Sequence, residues 1–173
     1  GEEALSIKGD EVFPTASTIK IHILTKLFSM EEEGQINLSK RVRFTESMYG
    51  SGSGVIHFLE NVPEFTTLDV AILMMLVSDN TATNFCIDLA GMEDINDLIQ
   101  DMGLIETKLR RKMMDPAAIN RGNANISTPN ELVAIMQKLH DGIPSKEDLD
   151  RLANSVPKQE VGRLSYKELT LSR

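Results

Sequence analysis

Thr66-Thr67-Leu68-Asp69-Val70-Ala71-Ile72-Leu73-Met74-Met75-Leu76-Val77-Ser78-Asp79-Asn80 is the stretch on which the fold turns. Its opening Thr-x-x-Asp spacing puts a hydroxyl where it caps the free N–H groups of a new helix. From Leu68 to Val77 that helix is apolar on almost every side, a pattern that predicts a central helix surrounded by other elements. The polar triplet Ser78-Asp79-Asn80 comes directly after it. Polar groups at the end of a buried helix are costly unless they find partners or line a cavity. The bland reading is a helix-to-helix junction in which Asp79 or Asn80 caps the next helix.

Outward from this stretch, helical periodicity dominates. Ile19, Ile23, Leu27 and Met30 predict a helix from about Ala16 to Glu33, with Gly34 as its C-cap residue. Asn80 to Ala90 and Glu93 to Met102 read as helices closed by Gly91 and Gly103. Thr128-Pro129-Asn130-Glu131 joins a capping box to a proline at the first helical position, and Leu132, Val133, Ile135, Met136 and Leu139 then line one face up to Gly142. A last helix is predicted from Ser145 to about Asn154, and Val156 to Arg173 has no clear period. Strand signals are confined to Leu5, Ile7, Val12 and Phe13 around the turn-favouring Gly9-Asp10, which suit a short hairpin or strand remnant. Residues 35–65 read as loop with short helices, and the Gly50-Ser51-Gly52-Ser53-Gly54 run, which lacks a P-loop lysine, reads as a flexible rim.

Composition narrows the function classes. The 173 residues are 41% hydrophobic and 25% charged, near the average for one globular domain. A net charge of -8 argues against nucleic acid and against an anionic membrane surface, both of which need a basic footprint. The longest apolar run, Val70 to Val77, is far short of the roughly 20 residues that span a bilayer, so no membrane span is expected. Cys86 is the one cysteine, which excludes an internal disulfide. His22, His57 and His140 share no ligand spacing, and His22 in an apolar helix reads as a satisfied core histidine, so no metal is expected. The nine methionines read as packing. Gly1 is preceded by no leader in this sequence, which leaves the compartment open.

Ser17-Thr18-Ile19-Lys20 sets a hydroxyl and an amine three apart at a helix start, on one face. A serine nucleophile needs a base within reach, and a lysine desolvated by an apolar helix can serve as a neutral amine. The helix N-terminus adds N–H groups for a developing oxyanion. Alone the pattern is weak, since Ser155-Val156-Pro157-Lys158 matches it too. A given tripeptide such as Ser78-Asp79-Asn80 arises by chance in only about a few per cent of chains this long, and the pair of motifs is the signature of penicillin-recognising serine hydrolases.

At these residues the sequence resembles the class A serine β-lactamases and their β-lactamase-like relatives. Phe13-Pro14-Thr15-Ala16-Ser17-Thr18-Ile19-Lys20 is similar to the family's nucleophile segment, and Leu76-Val77-Ser78-Asp79-Asn80-Thr81-Ala82-Thr83-Asn84 to its second motif. The 61 positions between Ser17 and Ser78 fit the family's helical domain, and Thr128-Pro129 resembles the stretch after its omega loop. The resemblance is good over about residues 12–142. It implies a mainly α chain, the α-helical domain of a two-domain α/β fold of the β-lactamase and transpeptidase kind, with most of the antiparallel sheet missing. Residues 1–13 would be a remnant of a sheet-domain strand, 14–155 the α-helical catalytic domain and 156–173 a return toward the missing sheet.

The same resemblance implies that Ser17 attacks a β-lactam carbonyl, that Lys20 takes its proton directly or through water, and that Ser78 relays a proton to the departing ring nitrogen. Asn80 would bind the ligand's side-chain amide and steady Lys20, while Asp79 braces the junction. Two departures stand out. The family's omega-loop glutamate has no counterpart in Arg110-Arg111-Lys112-Met113-Met114-Asp115-Pro116-Ala117-Ala118-Ile119-Asn120, where Asp115 is the nearest carboxylate. Its side chain is one methylene shorter, and a misplacement of about an ångström costs on the order of a hundredfold, so Asp115 reads first as a turn or cap residue and second as a deacylation-loop residue. The third motif, Lys-Thr-Gly, does not occur before Arg173, which implies weak activity in this chain by itself.

The reading is therefore a serine hydrolase acting through an acyl-enzyme on Ser17, with no metal or organic cofactor and a small-molecule β-lactam or peptidoglycan peptide as substrate. Its rivals are a D-alanyl-D-alanine carboxypeptidase or esterase using the same site, and a non-catalytic ligand-binding or sensor module. An apolar face left by the missing sheet would favour self-association or a complementing sheet fragment. A secreted or periplasmic location is implied by the resemblance alone.

Overall fold

The computed structural model describes residues 5–60 and 64–142. In chain order these form β1 (Phe13–Pro14), a 3-10 turn (Ala16–Ile19), α1 (Lys20–Glu32), β2 (Arg41–Val42), two further 3-10 turns (Glu46–Met48 and Ile56–Phe58), β3 (Phe65–Thr66), α2 (Thr67–Leu76), α3 (Asn80–Ala90), α4 (Met92–Asp101), α5 (Pro116–Asn120), β4 (Ile126–Ser127) and α6 (Pro129–His140). The architecture is mainly α, as expected. The strands form two short antiparallel ladders, β1 with β4 (Phe13 opposite Ser127) and β2 with β3 (Arg41 opposite Thr66).

The helix starts match the caps read from the sequence. Thr66 Oγ1 accepts the Asp69 N–H at 3.0 Å while the Asp69 carboxylate accepts the Thr66 N–H at 2.8 Å, a complete capping box. Thr128 caps α6 through the Glu131 N–H at 3.2 Å. Fully buried Ile19, Ile23, Leu27 and Phe28 from the first helix meet Val70 and Met74 of α2, Cys86 of α3 and Ile95 of α4 in one core. Each such side chain contributes about 1.5–3 kcal/mol on leaving water.

The hub of the packing is α3, which contacts α1, α2 and α4. Its inward face carries Ala82, Thr83, Cys86 and Ala90, small residues that let neighbouring helices approach closely. The all-round apolar helix expected to be central is instead partly open: α2 buries Thr67, Val70, Ala71 and Met74, whereas Leu76 is 57% exposed. α3, β3 and α1 contact α2.

Three further expectations need correction. The helix expected from Ala16 begins as a 3-10 turn, because Ala16 adopts a left-handed φ of 46° and the Thr15 carbonyl accepts both the N–H (3.0 Å) and Oγ1 (2.7 Å) of Thr18, tightening the first turn. The Gly9-Asp10 turn makes no local hairpin: Phe13 and Pro14 pair with β4 across the chain, and the turn docks on α6, where the Asn130 N–H donates to the Gly9 carbonyl at 2.9 Å. The β2–β3 ladder falls in the stretch read as loop with short helices. The helix expected at Ser145–Asn154 and the tail from Val156 lie outside the described residues.

His22 also needs correction. It sits in α1 at 1% exposure, and neither ring nitrogen makes a well-formed hydrogen bond. Burial pushes its pKa down to about 4, with the Ile19 carbonyl and the charge of Glu131 pulling weakly the other way. The native state thus favours neutral His22. Its contribution to stability is whole above the unfolded value near 6.5 and is lost as pH falls through 4, up to about 3 kcal/mol for a shift of this size. Urea unfolding at pH 7 and pH 4 is expected to show a smaller acid loss for His22→Leu than for the unaltered protein.

Candidate active site

The polar triplet at the end of α2 is built around Asp79, which is wholly buried. One carboxylate oxygen accepts the N–H groups of Val55 (2.6 Å) and Ile56 (2.9 Å), and the other accepts the N–H of Ala82 (3.0 Å), capping α3. Asp79 thus takes a cap position and braces the junction. Opposite it lies the Gly50–Gly54 run, read from the sequence as a flexible rim. The structure pins it: the backbone N–H of Asn80 donates to the Ser53 carbonyl, its side-chain amide to the Ser51 carbonyl, both at 2.9 Å, and the Gly50 N–H donates to Thr81 Oγ1 at 2.9 Å. Gly54 has a φ of 130°, and a Cβ there would overlap the Asp79 carboxylate.

Ser78 is left between these restraints with a φ of 56°. A serine held in the left-handed region signals a backbone over-determined by its surroundings. Its Oγ lies 2.8 Å from Ser17 Oγ and 2.7 Å from Lys20 Nζ. Lys20 Nζ also donates to the Ser78 carbonyl at 2.9 Å. Ser17, Lys20 and Ser78 therefore meet, with Ser78 in the middle: the hydrogen bonds of Lys20 run to Ser78 and not to Ser17, although the three-residue spacing suggested direct contact. Ser17 is exposed and Lys20 is 2% exposed. Burial pushes the Lys20 amine below the ordinary lysine range, and the charge of Asp79 partly restores it. Asn80 stands beside the cluster, 7% exposed, with its amide nitrogen engaged by Ser51.

The second wall is the loop from Leu109 to Asp115, held by three asparagines that sequence reasoning missed. Asn96 exchanges two 2.9 Å hydrogen bonds with the backbone of Leu109. Asn125 accepts the N–H groups of Arg110 (2.8 Å) and Arg111 (3.0 Å), and Asn84 accepts that of Met113 at 2.7 Å and donates to its carbonyl at 3.2 Å. A signal was available for two of them: asparagine is a poor interior helix residue, yet Asn84 and Asn96 lie within α3 and α4. Asp115 caps α5 through the Ala118 N–H at 2.9 Å. Among the described residues no cluster of His, Cys, Asp and Glu could hold a metal ion, and no helix is long and apolar enough to cross a membrane.

The helical layer thus carries a hydrogen-bonded serine–lysine–serine cluster. Residues 1–166 match the model of the β-lactamase enzyme family, and the chain belongs to that family. No curated protein matches the sequence. A solved β-lactamase from Sphaerobacter thermophilus DSM 20745 is 32% identical with a TM-score of 0.77, covering 86% of this chain and 55% of that one. A point mutant of PBP-A, solved as an acyl-enzyme complex with penicillin G, is 34% identical with a TM-score of 0.75, covering 85% and 55%. The reconstructed class A β-lactamase of the last common ancestor of Gram-negative bacteria, 20% identical with a TM-score of 0.76 over 87% and 58%, shares the fold. The chain spans about half the length of these structures.

Removing the Asp79 carboxylate strands three backbone N–H groups. Asp79→Ala is expected to lower the unfolding free energy by about 3 kcal/mol or more in a urea titration, far beyond an ordinary surface substitution.

Proposed function

We propose that this chain carries the acyl-transfer site of a β-lactam-reactive serine hydrolase, with Ser17 as nucleophile. The observation that carries the reading is the unbroken contact from Ser17 Oγ through Ser78 Oγ to a buried Lys20 Nζ, at 2.8 and 2.7 Å. Both separations lie within the reach a proton transfer needs. With Lys20 neutral, as its burial favours, the Ser17 proton passes to Ser78 while the Ser78 proton passes to Lys20. Ser17 Oγ bonds to the ligand carbonyl carbon. The carbon–nitrogen bond then opens, and the proton returns from Lys20 through Ser78 to the departing nitrogen. The Ser78 carbonyl, which accepts from Lys20 Nζ, keeps the amine aimed throughout. Asn80 offers its amide oxygen to a ligand N–H, its nitrogen being held by Ser51. No step calls for a metal or organic cofactor.

A second reading concerns the fate of the acyl-enzyme. Asp115 is the carboxylate of the Arg110–Asn120 stretch, and one of its two oxygens accepts the Ala118 N–H. A capping carboxylate is poorly placed to activate water, which favours a long-lived acyl-enzyme and a penicillin-binding or peptidase role over fast β-lactam turnover. The likeness to the PBP-A mutant solved with penicillin G supports the same direction.

Incubation with benzylpenicillin is expected to add one ligand mass to the peptide containing Ser17, and Ser17→Ala to abolish the adduct. An adduct on another residue, or none, overturns the reading. Lys20→Ala is expected to slow acylation by about 10²–10⁴-fold. The acylation rate should rise with pH along a limb that turns over below the ordinary lysine value, since burial lowers the Lys20 pKa. With a chromogenic cephalosporin, one stoichiometric burst and then little turnover is the outcome that the second reading demands.

A further inference from the structure

We propose that Met114 is an oxidation site and that its sulfoxide weakens ligand binding at Asn80; the effect on binding rests on the acyl-transfer reading above. Packing accounts for seven of the nine methionines: Met30 and Met74 are buried in the core, and five others pack against it partly buried. Met114 and Met136 are left, at 46% and 54% exposure. An exposed thioether is open to peroxide, whereas one inside a packed core is reached only when the core opens. Cys86, the other sulfur group that peroxide attacks, is wholly buried.

The backbone keeps Met114 at that surface. Its φ of 55° lies in the left-handed region, which a non-glycine residue holds only where its surroundings fix it. They do so on both sides: Asn84 accepts the Met113 N–H at 2.7 Å and donates to the Met113 carbonyl at 3.2 Å, while the Asp115 carboxylate accepts the Ala118 N–H at 2.9 Å to cap α5. The thioether then rests against bare backbone. Met114 Cγ and Sδ lie 3.3 and 3.5 Å from the point where a Cβ on Gly52 would stand, and Asn80 Nδ2 lies 2.9 Å from the same point. Met136 lies on α6, outside both loops.

Oxidation changes what this side chain offers its neighbours. A sulfur lone pair takes one oxygen of an external peroxide; the O–O bond breaks, the sulfur gives up two electrons, and hydrogen peroxide leaves as one water. The product replaces a weak hydrogen-bond acceptor by a strong one. Asn80 Nδ2 carries two N–H groups, one of them donated to the Ser51 carbonyl at 2.9 Å. A sulfoxide oxygen on Met114 competes with Ser51 for this amide and turns it from the orientation that offers its oxygen to a ligand N–H. Ser17, Ser78 and Lys20 keep their contacts, so the defect falls on binding and not on the bond-making step. Methionine sulfoxide reductases reverse it.

The test treats the full-length protein with hydrogen peroxide, reads the order of oxidation by peptide mass spectrometry, and measures the acylation rate against benzylpenicillin concentration. Met114 is expected to gain one oxygen before the seven methionines in or against the core. Its oxidation is expected to raise the half-saturating penicillin concentration by about tenfold, the loss of roughly one hydrogen bond, with the limiting rate unchanged and the shift reversed by methionine sulfoxide reductases. Met114→Leu is expected to lose this response to peroxide, and Met136→Leu to keep it. Core methionines oxidised as fast as Met114, an unchanged half-saturating concentration once Met114 is fully oxidised, or the same shift in Met114→Leu each overturns the proposal. Absence of a Ser17 adduct in the untreated protein instead overturns the acyl-transfer reading, and the binding effect with it, while the mass spectra still decide the order of oxidation.

Discussion

The carboxylate of Asp79 ties the start of α3 to the Val55–Ile56 backbone. A fully buried anion is expensive unless its lone pairs are met, and here three backbone N–H groups from two separate segments meet them. Because two of those donors belong to Val55 and Ile56 and the third to Ala82, the same side chain that starts α3 also draws the Gly50–Gly54 loop against it. Ser78 then has little freedom: α2 ends before it, Asp79 is fixed after it, and its backbone settles in the left-handed region with the hydroxyl turned toward Ser17 and Lys20. The charge acts a second time by opposing the desolvation of Lys20. Geometry and electrostatics at the site therefore share one origin.

Much of this is legible in the sequence. Helices α3, α4 and α6 are marked by caps and closing glycines that act locally, so reading them needs no knowledge of the tertiary structure. Ser17, Lys20 and Ser78 can be singled out because a Ser-x-x-Lys and a Ser-Asp-Asn motif occur in one chain, a pairing that neither motif alone would make meaningful. Their order of contact cannot, since the left-handed turns at Ala16 and Ser78 that bring the hydroxyls together depend on contacts from elsewhere in the chain. The same limit explains the GSGSG run. Glycine and serine favour loops, and composition alone does not reveal that a loop of bare backbone is hydrogen-bonded against a helix N-terminus.

The open side of α2 escapes the sequence for a related reason. An all-round apolar helix needs covering, but hydrophobicity does not say which neighbour covers which side, and close approach is decided by small residues such as Ala82, Thr83 and Ala90. Likewise the two short ladders pair residues far apart in sequence, which periodicity over a window cannot see. Asn125 is the clearest case of a residue whose meaning is wholly tertiary. Its carbonyl accepts the N–H of Thr15 at 2.8 Å, two positions before Ser17, while its side chain grips Arg110 and Arg111. One residue thus ties the turn before Ser17 to the Leu109–Asp115 loop.

Cys86 lies on the inward face of α3, fully buried, and burial pushes its thiol up to about 12. At neutral pH it is a protonated packing group, shielded from electrophiles. These 173 residues hold no other cysteine, so no second thiol competes for maleimides or iodoacetamides. A thiol engineered onto either loop would be its sole reactive handle, so a fluorophore or spin label could be attached at a chosen point without first removing anything from the core.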